Sequence, residues 1–188
     1  NPKPLNRITK IGTVGRLTYQ KAQEYFIHMD EKIYSAGLEC EFLIYGDGED
    51  YNKLKTLIEE RGLTNYVKLM GYTDDVNSVL KNLDIFVLTS RYEGIPYILL
   101  EAMNNSLPVI STDVGGIKEI IKNDYNGILV KQGDVNALVE NVKVLIRNDN
   151  YRTELSNNAK SYFQEKFTVD KTVQKVESIY KSGFKNLT

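Results

Sequence analysis

The 188-residue sequence predicts a doubly wound α/β fold, in which a six-stranded parallel sheet carries helices on both faces and a helical tail follows. Short apolar or β-branched segments alternate with amphipathic segments over residues 7–130. Such alternation implies parallel strands joined by right-handed crossovers. From Asp134 onward no further strand-like segment occurs, which predicts the tail.

The individual elements follow from apolar periodicity and from turn residues. The predicted strands span residues 7–14, 40–45, 66–70, 85–89, 108–111 and 127–130. The helices between them are predicted at 20–36, 51–61, 74–81, 97–104 and 117–122, and the tail helices from 134, at 151–163 and at 170–180. Gly37 and Gly62 suit helix C-termini, and Asp134 suits an N-cap. We therefore expect one Rossmann-like domain over residues 1–188, with its tail at about 134–188.

The charge balance excludes a general attraction to polyanions. Twenty-four Lys and Arg face twenty-five Asp and Glu, so the formal net charge is -1. Nucleic acid is therefore not an expected partner, and any anion site has to be built locally.

Metal and thiol chemistry are also disfavoured. Cys40 is the only cysteine and lies in an apolar run, which predicts a core side chain. His28 is the only histidine and lies in a helical segment, where we expect a structural role. We therefore predict no metal site.

The sequence begins at Asn1 without an initiating methionine, which suggests that residues upstream are missing. Its first residues do not resemble a signal peptide, and no apolar stretch approaches the roughly 20 residues that span a bilayer. We expect a cytoplasmic protein.

Two cations follow the first predicted strand. The glycines of residues 12–21 do not match the G-x-G-x-x-G fingerprint, so a nicotinamide or flavin site is disfavoured. Arg16 and Lys21 instead lie beside a strand-to-helix turn, where side-chain charge and helix amides can hold a diphosphate. The alternative is that both cations are merely solvated.

Two carboxylates flank the turn after the fourth predicted strand. Glu93 precedes Gly94, which allows close backbone approach, and Pro96 suits a helix start before Glu101. A carboxylate can accept hydrogen bonds from neighbouring sugar hydroxyls. The alternative is that Glu93 caps the helix and Glu101 forms an ordinary ion pair.

Together these segments resemble the C-terminal domain of the family 4, or group 1, retaining glycosyltransferases of GT-B architecture. Glu93 and Glu101 match the family's E-x7-E motif. Further matches are V-G-R-L at 14–17 with Lys21, G-D-G at 46–48, E-A-M at 101–103, P-V-I at 108–110, and Gly115-Gly116 before Glu119. The ordered set covers nearly the whole chain.

The resemblance implies roles for residues that would hold the donor's phosphates. Arg16 and Lys21 would neutralise the diphosphate in place of a metal ion and would stabilise it as the leaving group. Backbone amides of Gly94, Ile95 and the neighbours of Pro96 would cradle the distal phosphate and the sugar; Pro96 itself has no N–H.

Other residues would contact the sugars and the base. The resemblance implies that Glu101 binds the ribose hydroxyls and that Glu93 lies near the transferred sugar, where it takes part in catalysis. The backbone at Gly71 and Tyr72 would face the base.

The implied activity is transfer of a hexose from a nucleotide-diphosphate sugar to a saccharide or glycolipid, with retention of configuration. The acceptor would bind an N-terminal domain that this chain lacks, so the isolated domain is expected to be inactive. No cofactor or metal is implied. The full-length protein could associate peripherally with the inner face of the membrane.

The chain departs from the family pattern at two positions. Ala22 and Ser106 stand where family members commonly have glycine. We expect altered local geometry at both positions, with function kept.

Two other functions remain open. A sugar-nucleotide epimerase of the same architecture would use similar nucleotide contacts. A non-catalytic nucleotide-binding module is the second alternative, although a receiver-type signalling domain would have an acidic cluster after strand one, where this chain has cations.

Overall fold

The computed structural model of the protein describes residues 8–168 and, beyond them, residues 171, 173 and 177. The strands are β1 Thr9–Val14, β2 Cys40–Tyr45, β3 Val67–Gly71, β4 Ile85–Leu88, β5 Val109–Thr112 and β6 Ile128–Val130. The helices are α1 Gln23–Ser35, α2 Tyr51–Glu60, α3 Val76–Asn82, α4 Tyr97–Asn104, α5 Ile117–Ile120, α6 Val135–Arg147 and α7 Asp149–Lys166. This succession confirms the predicted alternation and the helical start of the tail.

The strands form one six-stranded sheet in the order β3-β2-β1-β4-β5-β6. Every neighbouring pair is parallel, and β1 pairs along its whole length with β2 and more briefly with β4. The chain therefore builds one half of the sheet outward from β1 and the other half outward from β4. The strand order reverses between β1 and β4, which is the point where such sheets bind their ligands.

Both faces of the sheet are covered. Along β4, Ile85 and Val87 point into a core shared with α1, α2 and α6, whereas Phe86 and Leu88 point into a second core formed chiefly with α3, α4, α5 and α7. Residues of a strand alternate between the two faces, so a strand buried on both has to be apolar throughout. This explains the unbroken apolar run of β4.

The described part of the tail packs on the same sheet. Helix α6 contacts α1 on one face, and α7 contacts α4 on the other. The Asp134 carboxylate accepts a 2.9 Å hydrogen bond from the Ala137 amide, which confirms the predicted N-cap. The third predicted tail helix, at 170–180, lies outside the described residues except for three single positions.

Helix α1 begins later than predicted. It starts at Gln23 rather than at residue 20 because Ala22 has a left-handed φ of 52° and the Lys21 amide closes a turn on the Thr18 carbonyl. No helix within the described ranges is long and apolar enough to cross a membrane.

The first core contains a buried acidic side chain. Asp30 on α1 is 2% exposed, and its Oδ2 has no hydrogen-bond partner among the described residues. Burial, and to a lesser degree the neighbouring charge of Glu31, raises the pKa of Asp30 to about 7. Burial also raises the pKa of the Cys40 thiol to about 12, helped by the Asp30 charge. Cys40 is a buried free thiol, as predicted.

Asp30 should make the protein less stable as the pH rises. Its folded-state pKa lies above the ordinary value of 3.8, so the stability present below about pH 4 is lost as the pH climbs through about 7. Asp30→Asn removes the charge that the wild type carries at this buried position at pH 8, so it should raise the free energy of unfolding there by about 1–3 kcal/mol.

Urea unfolding of both proteins at pH 5 and pH 8 measures this effect. Glu60→Gln, which removes an exposed carboxylate from α2, serves as the control and should leave the pH dependence unchanged. An identical loss of stability between pH 5 and pH 8 in the wild type and in Asp30→Asn would contradict the role of Asp30.

Candidate functional site

The loops after β1 and β4 meet at the carboxyl edge of the sheet, because these two strands are neighbours. The first loop carries Arg16 and Lys21, and the second carries Glu93 to Pro96. The topological reversal between the strands opens a crevice between the loops. The predicted residues after strands one and four are thus brought to one place.

An ion pair joins the two loops. Lys21 Nζ lies 2.6 Å from Glu93 Oε1, and the two side chains are 16% and 6% exposed. The hydroxyl of Ser90 donates to the same carboxylate oxygen at 2.6 Å. Glu93 therefore does not cap α4, for which no side-chain cap exists, and this alternative is excluded.

Arg16 lies in the loop after β1, two residues beyond the strand. Its side chain is exposed and makes no hydrogen bond or ion pair with any residue in the described part of the chain. Its backbone carbonyl accepts a 2.9 Å hydrogen bond from the buried side chain of Gln23. Lys21 is thus neutralised by Glu93, whereas the charge of Arg16 remains available to an anion.

The turn into α4 presents unpaired amides. Gly94 and Ile95 are exposed, and neither backbone amide donates a hydrogen bond to a described residue. Pro96 is the N-cap of α4 rather than its first residue. Because helix N-termini and free amides favour negative charge, this turn is suited to a phosphate.

Glu101 lies in the second turn of α4. Its side chain is exposed and forms no ion pair within residues 8–168. The alternative of an ordinary ion pair is therefore not found, and the carboxylate is free to accept hydrogen bonds.

Gly71 and Tyr72 lie at the same edge of the sheet but further out, at the end of β3. The Gly71 carbonyl accepts a 2.8 Å hydrogen bond from the Gly46 amide. The Tyr72 side chain is 74% exposed, and its hydrogen bond to Asp74 raises the pKa of the phenol. Their contact with a base stays a prediction.

Sequence reasoning missed Arg91, which fastens the two loops together. Its guanidinium donates to the Tyr19 carbonyl, pairs with Glu24 and lies 4.0 Å from the centroid of the Tyr19 ring. Its backbone amide donates to the Gln20 carbonyl at 2.8 Å. The sequence shows only an arginine two residues before Glu93, and nothing in its spacing points to Tyr19 or Glu24.

Glycines hold neighbouring loops at the site in contact. A Cβ atom on Gly115, which has φ +53°, would lie 1.8 Å from the Glu93 carbonyl oxygen, and one on Gly46 would lie 1.9 Å from that of Gly15. Any side chain would force these backbones apart. The Gly115-Gly116 and G-D-G motifs therefore have a steric reason here.

The two departures from the family pattern keep a glycine-like backbone. Ala22 and Ser106 have φ values of 52° and 57°, in the left-handed region that glycine favours. We expected altered local geometry, but the structure shows left-handed backbone at both positions. The cost is strain of about 1–2 kcal/mol for a non-glycine residue in this conformation.

The remaining candidates do not form a metal site. His28 is partly exposed on α1 and lies 3.9 Å from Glu31, which fits the expected structural role. Within the described residues, no group of three or more His, Cys, Asp or Glu side chains could hold a metal ion. The expectation of metal-free binding stays a prediction.

A cavity of about 520 Å³ lies away from this edge, between α3, the end of α4 and α7. Arg152 lines it, but its guanidinium already donates to the Leu145 carbonyl and pairs with Asp149 at 2.9 Å. The carboxyl edge, with its exposed Arg16 and free amides, therefore remains the candidate site.

Fold and site define a doubly wound α/β domain in which an exposed cation and unpaired backbone amides lie at the switch point of the sheet. The family model of glycosyl transferases group 1 matches residues 5–162. The chain belongs to this family, and its six-stranded sheet is the C-terminal domain of the GT-B architecture. The resemblance seen in the sequence is thereby confirmed.

Individual relatives support the same family assignment. The chain is 32% identical over 170 residues to an Escherichia coli UDP-Gal:alpha-D-GlcNAc-diphosphoundecaprenol alpha-1,3-galactosyltransferase, covering 89% of this chain and 44% of the relative. Anabaena HepE, solved with UDP-glucose, superposes with a TM-score of 0.85 at 25% identity, covering 93% of this chain and 49% of HepE. The C-terminal domain of LpcC, a Francisella tularensis group 1 protein, superposes with a TM-score of 0.76 at 24% identity, covering 86% and 87%. The chain thus spans about half the length of the curated relatives it matches.

The contacts that Arg91 makes with Tyr19 and Glu24 should contribute strongly to the stability of the protein. Arg91→Ala leaves the Glu24 carboxylate, which is 15% exposed, without its cation, and should lower the free energy of unfolding by about 3 kcal/mol. Urea unfolding measures this loss.

Arg61→Ala is a matched control for this prediction. Arg61 also pairs with a glutamate of α1, Glu31, but the two side chains are 46% and 37% exposed. Exposed pairs contribute about 0–1 kcal/mol, so the control should lose far less. Equal losses in the two variants would show that Arg91 is no more than a surface cation.

Proposed function

We propose that this domain binds a nucleotide-diphosphate sugar and that, joined to an N-terminal acceptor domain, it transfers a hexose to a saccharide or glycolipid with retention. The observation that carries the proposal is the partly buried Lys21–Glu93 pair, which places a cation and a carboxylate together at the switch point of the sheet. The exposed Arg16 lies in the same loop as Lys21, and the free amides of Gly94 and Ile95 directly follow Glu93.

The charges of the site suit a diphosphate leaving group. As the bond between the anomeric carbon and the phosphate oxygen breaks, the diphosphate gains negative charge and the sugar gains oxocarbenium character. Arg16, Lys21 and the amides at the start of α4 stabilise the first charge. Glu93 orients and stabilises the sugar, while the acceptor hydroxyl attacks the same face of the anomeric carbon and passes its proton to the departing phosphate oxygen.

Glu101 supplies the nucleoside contact in this proposal. Its carboxylate is exposed and unpaired within the described part of the chain, eight residues after Glu93. A free carboxylate accepts a pair of hydrogen bonds from the vicinal ribose hydroxyls. Gly71 and Tyr72, at the end of β3, are the proposed neighbours of the base.

Uridine is the proposed base, because the named E. coli relative uses UDP-Gal and HepE was solved with UDP-glucose. The lipid-linked substrate in the name of the E. coli relative supports a glycolipid acceptor for this protein. With two cations and helix amides at the phosphates, we propose that no metal is needed.

Calorimetric titration with UDP, GDP and ADP, with and without EDTA, tests the donor site. We expect UDP to bind selectively and with the same affinity in EDTA. Equal affinity for all three nucleotides would overturn the choice of uridine, and binding that EDTA abolishes would overturn the metal-free site. Absence of nucleotide binding by the full-length protein would overturn the proposed function.

Two substitutions should separate the phosphate and ribose contacts. Lys21→Ala should weaken UDP binding about tenfold or more and uridine binding little, because it removes a charge-assisted contact to phosphate. Glu101→Ala should weaken both ligands, since both contain the ribose. Lys53→Ala and Asn104→Ala, at exposed positions of α2 and α4, are the controls. Calorimetry gives the affinities of the wild type and of the four variants for UDP and for uridine.

A double variant distinguishes two explanations for the Lys21 effect. Removing Lys21 alone leaves the buried Glu93 charge without its partner, which by itself repels phosphate. Lys21→Ala combined with Glu93→Gln removes both charges. If this double variant binds UDP as tightly as the wild type, Lys21 only neutralises the charge of Glu93. The proposed contact between Lys21 and the phosphate is then wrong.

A further inference from the structure

Ser90 lies beneath the ion pair and is fully buried. Its hydroxyl donates to Glu93 Oε1 at 2.6 Å, the same oxygen that Lys21 Nζ approaches at 2.6 Å. Both donors thus hold one oxygen of the carboxylate. The other oxygen, Oε2, receives no hydrogen bond from a described residue and is not among the fully buried unpartnered atoms.

Ser90 is itself held in place by the sheet. The buried Thr112 hydroxyl, at the end of β5, donates to the Ser90 carbonyl at 2.6 Å. On the preceding residue, the Thr89 hydroxyl donates to the carbonyls of Lys21 and Ala22 at 3.0 and 3.1 Å. The serine hydroxyl therefore projects from a backbone fixed on both sides, as a precise site requires.

The two donors to Glu93 differ in what else they can do. The Lys21 ammonium has three protons on a flexible stem, so a bound diphosphate competes with Glu93 for it. The Ser90 hydroxyl has one proton, and its burial keeps any ligand from reaching it. When an anion draws Lys21 away, Ser90 is the donor that stays.

We infer that Ser90 is a positioning residue, whose hydroxyl fixes the Glu93 carboxylate so that Oε2 faces the transferred sugar of the donor. The inference rests on the proposed function, because it assumes that a nucleotide sugar occupies the crevice. Ser90 touches neither the phosphates nor the nucleoside. Its removal should therefore change the step that involves the sugar and leave nucleotide binding intact.

The test follows UDP release by the full-length protein, with water as the acceptor of the sugar, from its best donor among UDP-glucose, UDP-galactose and UDP-N-acetylglucosamine. Ser90→Ala should lower kcat about 10- to 100-fold, the value of one charge-assisted hydrogen bond, while the Kd for UDP changes less than twofold. Thermal unfolding and the UDP Kd show that the variant is folded. A kcat within twofold of the wild type would overturn the inference.

Ser111→Ala is the matched control. Ser111 is also fully buried, lies next to Thr112 on β5, and donates to a backbone carbonyl rather than to Glu93. Its kcat should stay within threefold of the wild type. Equal losses of kcat in the two alanine variants would reduce the role of Ser90 to packing.

Ser90→Cys keeps nearly the same volume and a weak donor, so it covers the case in which Ser90→Ala does not fold. Because the thiol is a weak donor, its kcat should lie between that of the wild type and the 10- to 100-fold lower value expected of the alanine variant, whether or not the alanine variant folds. A cysteine variant with wild-type kcat would contradict the inference. Failure of the wild type to bind UDP would instead count against the proposed function itself, so the two failures are distinguishable.

Discussion

The parallel pairing of β1 with β4 is the constraint on which the site depends. These two strands begin the two halves of the sheet, and their neighbouring positions bring together loops that are about 70 residues apart in the chain. Lys21 and Glu93 can meet only because both loops leave the same edge. The two apolar cores, which bury β4 on both faces, hold this pairing in place.

The pairing of the strands also buries the charge of Glu93, and local contacts compensate the cost of this burial. A carboxylate that is 6% exposed is costly unless it is hydrogen-bonded, and Glu93 has Lys21 and Ser90 on one oxygen. The charges of Lys21 and Glu93 thereby compensate each other before any ligand binds. Arg16 adds a positive charge in the exposed loop after β1, where no described residue compensates it. A bound diphosphate can neutralise this charge.

Close backbone contacts and the Arg91 side chain both hold the loops of the site together. Gly115 and Gly46 allow carbonyls of neighbouring loops to approach to distances that no side chain permits. Arg91 adds a second fastening, between the β4 loop and the start of α1. At Ala22 the chain tolerates a left-handed backbone without glycine, where the Thr89 hydroxyl donates to the Ala22 carbonyl.

Much of this protein was predictable from local pattern. The alternation of apolar and amphipathic segments determined the order of strands and helices, and glycines such as Gly37 and Gly62 marked helix ends, where they have φ values of 73° and 66°. The spacing of Glu93 and Glu101 after a buried strand located a candidate site, since carboxyl ends of parallel strands face one edge. These signals are local, so a single sequence contains them.

Only the tertiary structure decided how those residues interact. The sequence left open whether Glu93 caps a helix, and the fold instead joins it to Lys21 and Ser90. It left open where the tail packs, and the fold packs α6 against α1 and α7 against both α6 and α4. Arg91 had no recognisable signal, because its partners Tyr19 and Glu24 are distant in sequence. Contacts between distant segments depend on strand order and on the space left by packing. Neither can be inferred from the spacing of residues along the sequence.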